Sequence, residues 1–252
     1  RKAIELNPNF AEAYSNMGSI LRDLGKLQEA EISTRKAIEL NPSFAEAYLN
    51  LGNILRDLGK SKAAEISTRK AIKLKPDFAE AYLNLGNILR DISKSKEAEI
   101  SYHKAIELNS NLASAHINLG NVLKDIGKLQ EAELSQRKAI NLRPDLAESH
   151  YILGNILKDI GKYKDAKASF KKVIYLKPDF INAYSNLGII LAEEGNFKEA
   201  EKKIRKAIDI NPEFADSYSN LGIVLKKLGK FKEAEEYIRK AINMNPTGAE
   251  FY

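Results

Sequence analysis

The sequence predicts an all-α protein built from stacked two-helix hairpins, and three periodic observations carry that prediction. All seven prolines (Pro8, Pro42, Pro76, Pro144, Pro178, Pro212 and Pro246) share one phase, 34 residues apart except for a gap of 68 whose midpoint is Ser110. Two glycine series keep the same period: Gly18, Gly52, Gly86, Gly120, Gly154, Gly188 and Gly222, then Gly25, Gly59, Gly127, Gly161, Gly195 and Gly229, with Ser93 in the empty slot. Between these markers apolar residues recur at helical spacing. A fixed period of this length is the mark of a repeat architecture in which no single copy buries its apolar face alone.

The repeat Ala45–Phe78 shows why each copy forms two helices. Ser43-Phe44-Ala45-Glu46 reads as a capping box, with the Ser hydroxyl taking an orphan amide and Glu46 reaching back. Ala47, Tyr48, Leu51, Ile54, Leu55 and Leu58 follow at helical spacing. Gly59 ends the helix by taking the left-handed conformation without a Cβ clash. The second helix carries Ala64, Ile66, Ala71, Ile72 and Leu74 and stops before Pro76. The small residues Gly52 and Ala64 let the two antiparallel arms approach closely.

Seven such repeats are expected at 11–44, 45–78, 79–112, 113–146, 147–180, 181–214 and 215–248. Arg1–Phe10 nearly duplicates Arg35–Phe44 and reads as the end of a preceding second helix, while Ala249–Tyr252 begins a further repeat. The chain starts at Arg1 rather than Met, and neither end reads as a polar capping helix, so an excerpt from a longer array is expected. The third repeat lacks both markers, with Ser93 in the glycine slot and Asn109-Ser110-Asn111 around the proline slot. A non-glycine residue in a left-handed slot costs roughly 1 kcal/mol, which makes this repeat the expected soft joint.

The residues resemble the tetratricopeptide repeat (TPR) family. Numbering each repeat from Ala11, Ala45 and their equivalents, the family asks for an aromatic at position 4, met by Tyr14, Tyr48, Tyr82, Tyr184 and Tyr218, with His116 and His150 departing from it. It asks for Leu-Gly at positions 7–8, as in Leu51-Gly52, with Met17 once. Position 20 is Ala throughout, from Ala30 to Ala234, and position 27 is Ala except for Val173. Position 24, usually aromatic, is Thr34, Thr68 and Gln136 in three repeats. The resemblance implies a right-handed α-solenoid whose first helices line a concave groove.

Composition narrows the function. With 40 Lys+Arg against 34 Asp+Glu the net charge is +6, a mild bias. No basic stripe is interleaved with exposed aromatics, so nucleic-acid binding is not expected. Zero Cys excludes disulfide scaffolds, thiolate zinc sites and Cys nucleophiles. No apolar run approaches the ~18 residues of a membrane span, so no membrane partner is expected, and the cytoplasm is the default compartment. Nearly every polar residue is copied at the repeat interval, a symmetry suited to a linear partner and not to one reacting atom. His103, His116 and His150 are the best general-base or metal candidates. His116 and His150, however, fill an aromatic slot, and no carboxylate or thiol completes a ligand set. No enzyme activity, metal or cofactor is expected within the segment.

The informative surface is the polar side of each first helix, where positions 2, 6, 9 and 13 share a face. Position 6 is Asn16, Asn50, Asn84, Asn118, Asn186 and Asn220, interrupted by Ile152. Position 9 is Asn53, Asn87, Asn121 and Asn155, flanked by Ser19, Ile189 and Ile223. Each mid-helix Asn costs about 0.6 kcal/mol relative to Ala, which packing alone does not explain. A carboxamide offers both a donor and an acceptor, matching the C=O and N–H of an extended chain. The alternative is structural: the amides bond between neighbouring helices. Position 5 is apolar in the middle repeats (Leu49, Leu83, Ile117 and Tyr151), either lining pockets for a partner's side chains or belonging to the core.

The other polar positions have plain readings. The position-2 acids Glu12, Glu46, Glu80, Glu148 and Asp216 are expected as helix caps, and the position 12–13 pairs, such as Arg22-Asp23 and Arg56-Asp57, as solvated or inter-repeat ion pairs. The second-helix pairs Arg35-Lys36, Arg69-Lys70 and Arg137-Lys138 are expected as solvated surface.

Within the family, the Asn ladder looks most like the array of O-linked N-acetylglucosamine transferases, where such side chains hold a substrate backbone. The carboxylate clamp of chaperone cofactors, with Lys at positions 2 and 5 and Arg at position 6, is not matched by any repeat. The expected function is therefore a protein-interaction scaffold holding an extended peptide or protein segment. The alternatives are the targeting arm of an enzyme whose catalytic domain lies outside this segment, and an assembly module that self-associates end to end through apolar helix faces.

Overall fold

A computed structural model describes residues 7–245, and within them every regular element is an α-helix. The first four repeats contribute α1 (Ala11–Asp23), α2 (Leu27–Leu40), α3 (Ala45–Asp57), α4 (Ser61–Leu74), α5 (Ala79–Asp91), α6 (Ser95–Leu108), α7 (Ala113–Asp125) and α8 (Leu129–Leu142). The last three contribute α9 (Ala147–Asp159), α10 (Tyr163–Leu176), α11 (Ile181–Glu193), α12 (Phe197–Ile210), α13 (Ala215–Lys227) and α14 (Phe231–Met244). The chain divides into two compact units between Leu142 and Arg143, the first holding α1–α8 and the second α9–α14. Residues 1–6 of the expected helix end and the further repeat expected at 249–252 lie outside the described residues.

Each first helix but α5 ends at a left-handed glycine. Gly59 has φ +72°, its N–H donates to the Arg56 carbonyl at 2.9 Å, and the Lys60 N–H donates to the Leu55 carbonyl at 2.8 Å. These bonds satisfy carbonyls that the helix end would orphan. Ser93 repeats the turn at φ 60°, with the same two bonds to Arg90 and Leu89 at 2.9 and 2.8 Å. The third repeat therefore keeps the geometry and carries the Cβ strain that glycine avoids.

The capping box does not form. Phe44, not Ser43, is the residue before α3, and no side chain caps that helix. Ser43 lies one residue further out, where its hydroxyl donates to Asn41 Oδ1 at 2.8 Å and its N–H donates to the same oxygen at 3.1 Å. Asn7, Asn109 and Asn211 close equivalent turns on the backbone N–H groups of Asn9, Asn111 and Glu213. Asn109 thus supports the turn in the repeat that lacks proline. The position-2 acids stand in the first turn rather than at the N-cap, and Glu46 accepts from Lys75 Nζ at 3.0 Å. At the first turn their charge still favours the helix dipole.

In the N-terminal unit the core forms where one repeat enters the next. Ile54 packs with Leu21 and Ala30 of the preceding repeat, and Ile88 packs with Leu51, Leu55 and Ala64. The helix pair closes because position 8 has no side chain: a Cβ on Gly52 would lie 2.3 Å from Thr68 Oγ1. One residue expected among the apolar stripe is on the surface instead. Ile66 is 70% exposed, as are Ile32, Ile100 and Leu134 at the same position of their repeats to within a percent. The second helix buries only a narrow alanine-centred seam, and position 22 falls outside it.

In the C-terminal unit larger side chains fill the equivalent spaces. Phe170 is fully buried and its ring occupies the space a Cβ on Gly154 would need, at 2.7 Å. Tyr151 packs against it at a centroid distance of 5.9 Å and against Phe180 at 4.9 Å.

Charged links cross repeat boundaries on the second helices. Glu31 accepts from Arg35 on its own helix at 2.9 Å and from Lys60 of the next repeat at 2.8 Å, and Glu201 does the same with Arg205 and Lys230, each at 2.9 Å. In the fifth repeat the sign is reversed, with Lys167 in the Glu position donating to Glu194 at 2.5 Å.

Candidate functional site

In the N-terminal unit the first helices α1, α3, α5 and α7 run side by side, and in the C-terminal unit α11 and α13 do so. Their shared face presents the carboxamides of positions 6 and 9. Asn50 donates from Nδ2 to Ser15 Oγ of the preceding repeat at 2.9 Å, and Asn220 donates to Ser185 Oγ at 3.2 Å. Asn118 donates to Asn87 Oδ1 at 2.8 Å, and Asn186 to Asn155 Oδ1 at 2.9 Å, with the Tyr151 hydroxyl a further 3.3 Å contact. Asn87 Oδ1 also accepts from the Tyr102 hydroxyl at 2.9 Å. Burial pushes that phenol's pKa up to about 12, so it stays a neutral donor.

One rule covers these bonds. The position-6 amide turns to position 5 of the preceding repeat where that residue is Ser, as at Asn50 and Asn220, and to an Asn at position 9 at Asn118 and Asn186, while Asn84, which follows Leu49 and Asn53, makes neither bond. The two options alternate in the sequence: Ser15, Ser185 and Ser219 occur where position 9 is Ser19, Ile189 and Ile223, and apolar position-5 residues occur where position 9 is Asn. The serines and Tyr102 are not among the candidate residues, although this reciprocity points to the serines.

The bonds leave much of each carboxamide unspent. Asn50, Asn118 and Asn220 use one N–H each, Asn186 directs its amide nitrogen to both Asn155 Oδ1 and the Tyr151 hydroxyl, and no described residue donates to the Oδ1 atom of any of the four. Asn53, Asn84 and Asn121 are partly buried and have no side-chain hydrogen bond among the described residues, and Asn16 is exposed. At position 5, Leu49 is 7% exposed and packs with Ala71 and Ala81 in the core. Leu83, Ile117 and Tyr151 are partly buried.

At the edge of this face, Arg22 pairs with Asp57 and Arg56 with Asp91, both at 2.6 Å and each from one repeat to the next. In the C-terminal unit the face opens into a cavity of about 410 Å³, lined in part by Tyr151, Ser185, Asn186, Phe214, Asp216 and Asn220.

His116 and His150 serve the fold, and His103 is exposed. His116 is buried and its Nε2 lies 3.1 Å from the Ser110 carbonyl, while His150 Nε2 lies 3.1 Å from the Pro144 carbonyl. Each ring braces the turn leading into its own helix. Desolvation lowers the His116 pKa against that backbone bond, so the neutral ring is favoured. Among the described residues no three His, Cys, Asp or Glu side chains are grouped to hold a metal ion, and no helix is long and apolar enough to cross a membrane.

Comparison with known proteins agrees with the architecture. Tetratricopeptide repeat models match residues 11–44, 34–66, 79–112, 113–146 and 179–247, and a TPR repeat model matches 52–92 and 154–195. None of the curated proteins searched matches the chain. Among solved structures, YrrB, a TPR protein with an unusual peptide-binding site, is 27% identical with a TM-score of 0.63, over 73% of this chain and 95% of its own. MamA is 27% identical with a TM-score of 0.62, over 68% of this chain and 94% of its own. PilF of Pseudomonas aeruginosa, at 22% identity and a TM-score of 0.70, covers 82% of this chain and 94% of its own and shares the fold. The family models together span most of the helical array, and the chain belongs to the tetratricopeptide repeat family.

Proposed function

We propose that this array is a protein-interaction scaffold that holds an extended peptide segment against the face of its first helices. The observation that carries the reading is the half-spent carboxamide. One N–H of Asn50, Asn118 or Asn220 is fixed on the preceding repeat, which sets the amide plane, while the oxygen and the second N–H stay open; Asn186, bonded to both Asn155 and Tyr151, keeps its oxygen open. A pre-oriented donor and acceptor loses little entropy on meeting a peptide backbone. Asn53, Asn84 and Asn121 offer their whole carboxamides beside them. Leu83, Ile117 and Tyr151 would lie under the peptide's side chains, whereas Leu49, within the core, contributes through packing. The similarity to YrrB, itself described as peptide-binding, supports the same reading.

The experiment is a peptide-array screen of the wild type against the Asn84→Ala/Asn87→Ala/Asn118→Ala variant, with Asn53→Ala/Asn121→Ala beside it because those two side chains make no internal bond. Binding should fall in both while circular dichroism stays helical. Undiminished binding in both places the contact elsewhere. The same grip would serve the substrate-holding arm of a larger enzyme, as the resemblance to the O-linked N-acetylglucosamine transferase array implies. A full-length reading frame that encodes a transferase domain would favour that form.

A further inference from the structure

The cavity of the C-terminal unit has a sign of its own. It measures about 410 Å³, within the ~300–1,000 Å³ of ligand clefts, and its walls come from α9, α11 and the start of α13. Asp216 is the one charged residue in its lining, with no Lys, Arg or His. In the second repeat the equivalent acid, Glu46, is bonded by Lys75 at 3.0 Å, but the residue corresponding to Lys75 in the seventh repeat is the neutral Asn245. Among the described residues no cation pairs with Asp216. The same cavity is lined by Tyr151 and Phe214 and by the amides of Asn186 and Asn220, whose donors already point to Asn155, the Tyr151 hydroxyl and Ser185. A carboxylate, aromatic rings and carbonyl acceptors together are the chemistry that receives a cation.

A second cavity of about 500 Å³ shares Ile189 and Asn220 with the first; Ile223, Val224 and Phe197 line it, together with Glu193 and Lys227 of opposite charge. Position 9 carries Ile here in place of the Asn of the middle repeats, so the face changes from amide to aliphatic beside the anionic cavity.

We infer that this part of the face selects a peptide bearing a Lys or Arg side chain set against Asp216, with an adjacent aliphatic side chain set between Ile189 and Ile223. The inference rests on the proposed peptide-binding role and adds the sequence class of the ligand. An acidic peptide would meet the like charge of Asp216, and an apolar one would leave that carboxylate desolvated without a partner.

The test is a positional-scanning peptide library on the wild type, Asp216→Asn, Asp216→Lys and Ile189→Asn/Ile223→Asn, each checked for an intact helical spectrum. The wild type should enrich Lys or Arg next to an aliphatic residue. Asp216→Asn should reduce the basic preference about tenfold, the worth of one charge-assisted bond. Asp216→Lys should turn that preference toward Asp and Glu, and the double Ile variant should lose only the aliphatic preference. A Lys or Arg preference that survives Asp216→Lys overturns the inference. So does peptide binding that is sensitive to Asn84, Asn87 and Asn118 but has no basic preference, and that result leaves the broader role standing. A wild type that binds no peptide in the library overturns both.

Discussion

Asn118 Nδ2 donates to Asn87 Oδ1 at 2.8 Å, joining position 6 of the fourth repeat to position 9 of the third. The same oxygen accepts the Tyr102 hydroxyl at 2.9 Å, so a second-helix side chain fixes a first-helix amide and that amide fixes the next repeat. Both lone pairs of Asn87 Oδ1 are engaged, and no described residue accepts from its N–H groups. An element of the proposed binding face is thus also an element of repeat stacking.

Tyr102→Phe tests this relay. The ring is fully buried and stays, while the hydroxyl bond is lost, so stability should fall by about 1 kcal/mol in chemical denaturation. Alkaline ultraviolet titration of the wild type should show one tyrosine ionising near the value of about 12 that burial imposes, and the variant should lack it. An unchanged titration would remove the assignment.

Ser93 at φ 60° predicts a gain from glycine. Ser93→Gly should stabilise the protein by roughly 1 kcal/mol, since the left-handed conformation carries no Cβ penalty in glycine. Amide hydrogen exchange over 90–112 should be faster than in neighbouring repeats and should slow in the variant. Exchange in the wild type no faster than next door contradicts the soft joint.

Gly52 and Thr68 should be coupled. Gly52→Ala places a methyl 2.3 Å from Thr68 Oγ1 and should cost about 1–3 kcal/mol by overpacking, despite the better helix propensity of Ala. Thr68→Ala in the same chain should recover much of that loss, because it removes the clashing oxygen, which is buried without a hydrogen-bond partner. Additive losses in the double variant would show that the two residues do not meet.

Acid should loosen the repeat stack. Glu31 is held below the ordinary carboxylate range chiefly by Lys60, and in Glu65 and Glu201 the Arg and Lys bonds outweigh the opposing effect of burial. Groups whose pKa is lower folded than unfolded stabilise the protein above the unfolded value and lose that contribution as pH falls through the folded one. Thermal melts should therefore be flat near neutrality and decline below about pH 4. Glu31→Gln/Glu65→Gln should melt lower at neutral pH and show a shallower acid decline. The same slope in variant and wild type would locate the acid response in other groups.

The architecture was legible because its markers are local: Gly59 must end a helix, and Gly52 must meet a close neighbour, wherever they stand in the fold. The start of α3 was misread because Ser43 and Glu46 have capping-box spacing, whereas the turn is closed by Asn41 from further upstream. Ile66 fits a helical stripe by spacing alone, and only the narrowness of the alanine seam puts it in solvent. At the candidate site the Asn positions were visible, but how their donors are spent depends on the preceding repeat. Ile189 and Ile223 only flank the Asn run in the sequence, and the structure makes them walls of a second cavity.

The central claim is that open carboxamides on the first helices grip a peptide backbone. Heteronuclear NMR of the Asn side-chain amides, recorded with and without a peptide taken from the array screen, tests it most directly. The account predicts that the amide resonances of Asn53, Asn84 and Asn121 shift and gain protection from solvent exchange on binding. Resonances that stay in place while the peptide saturates the protein would contradict it.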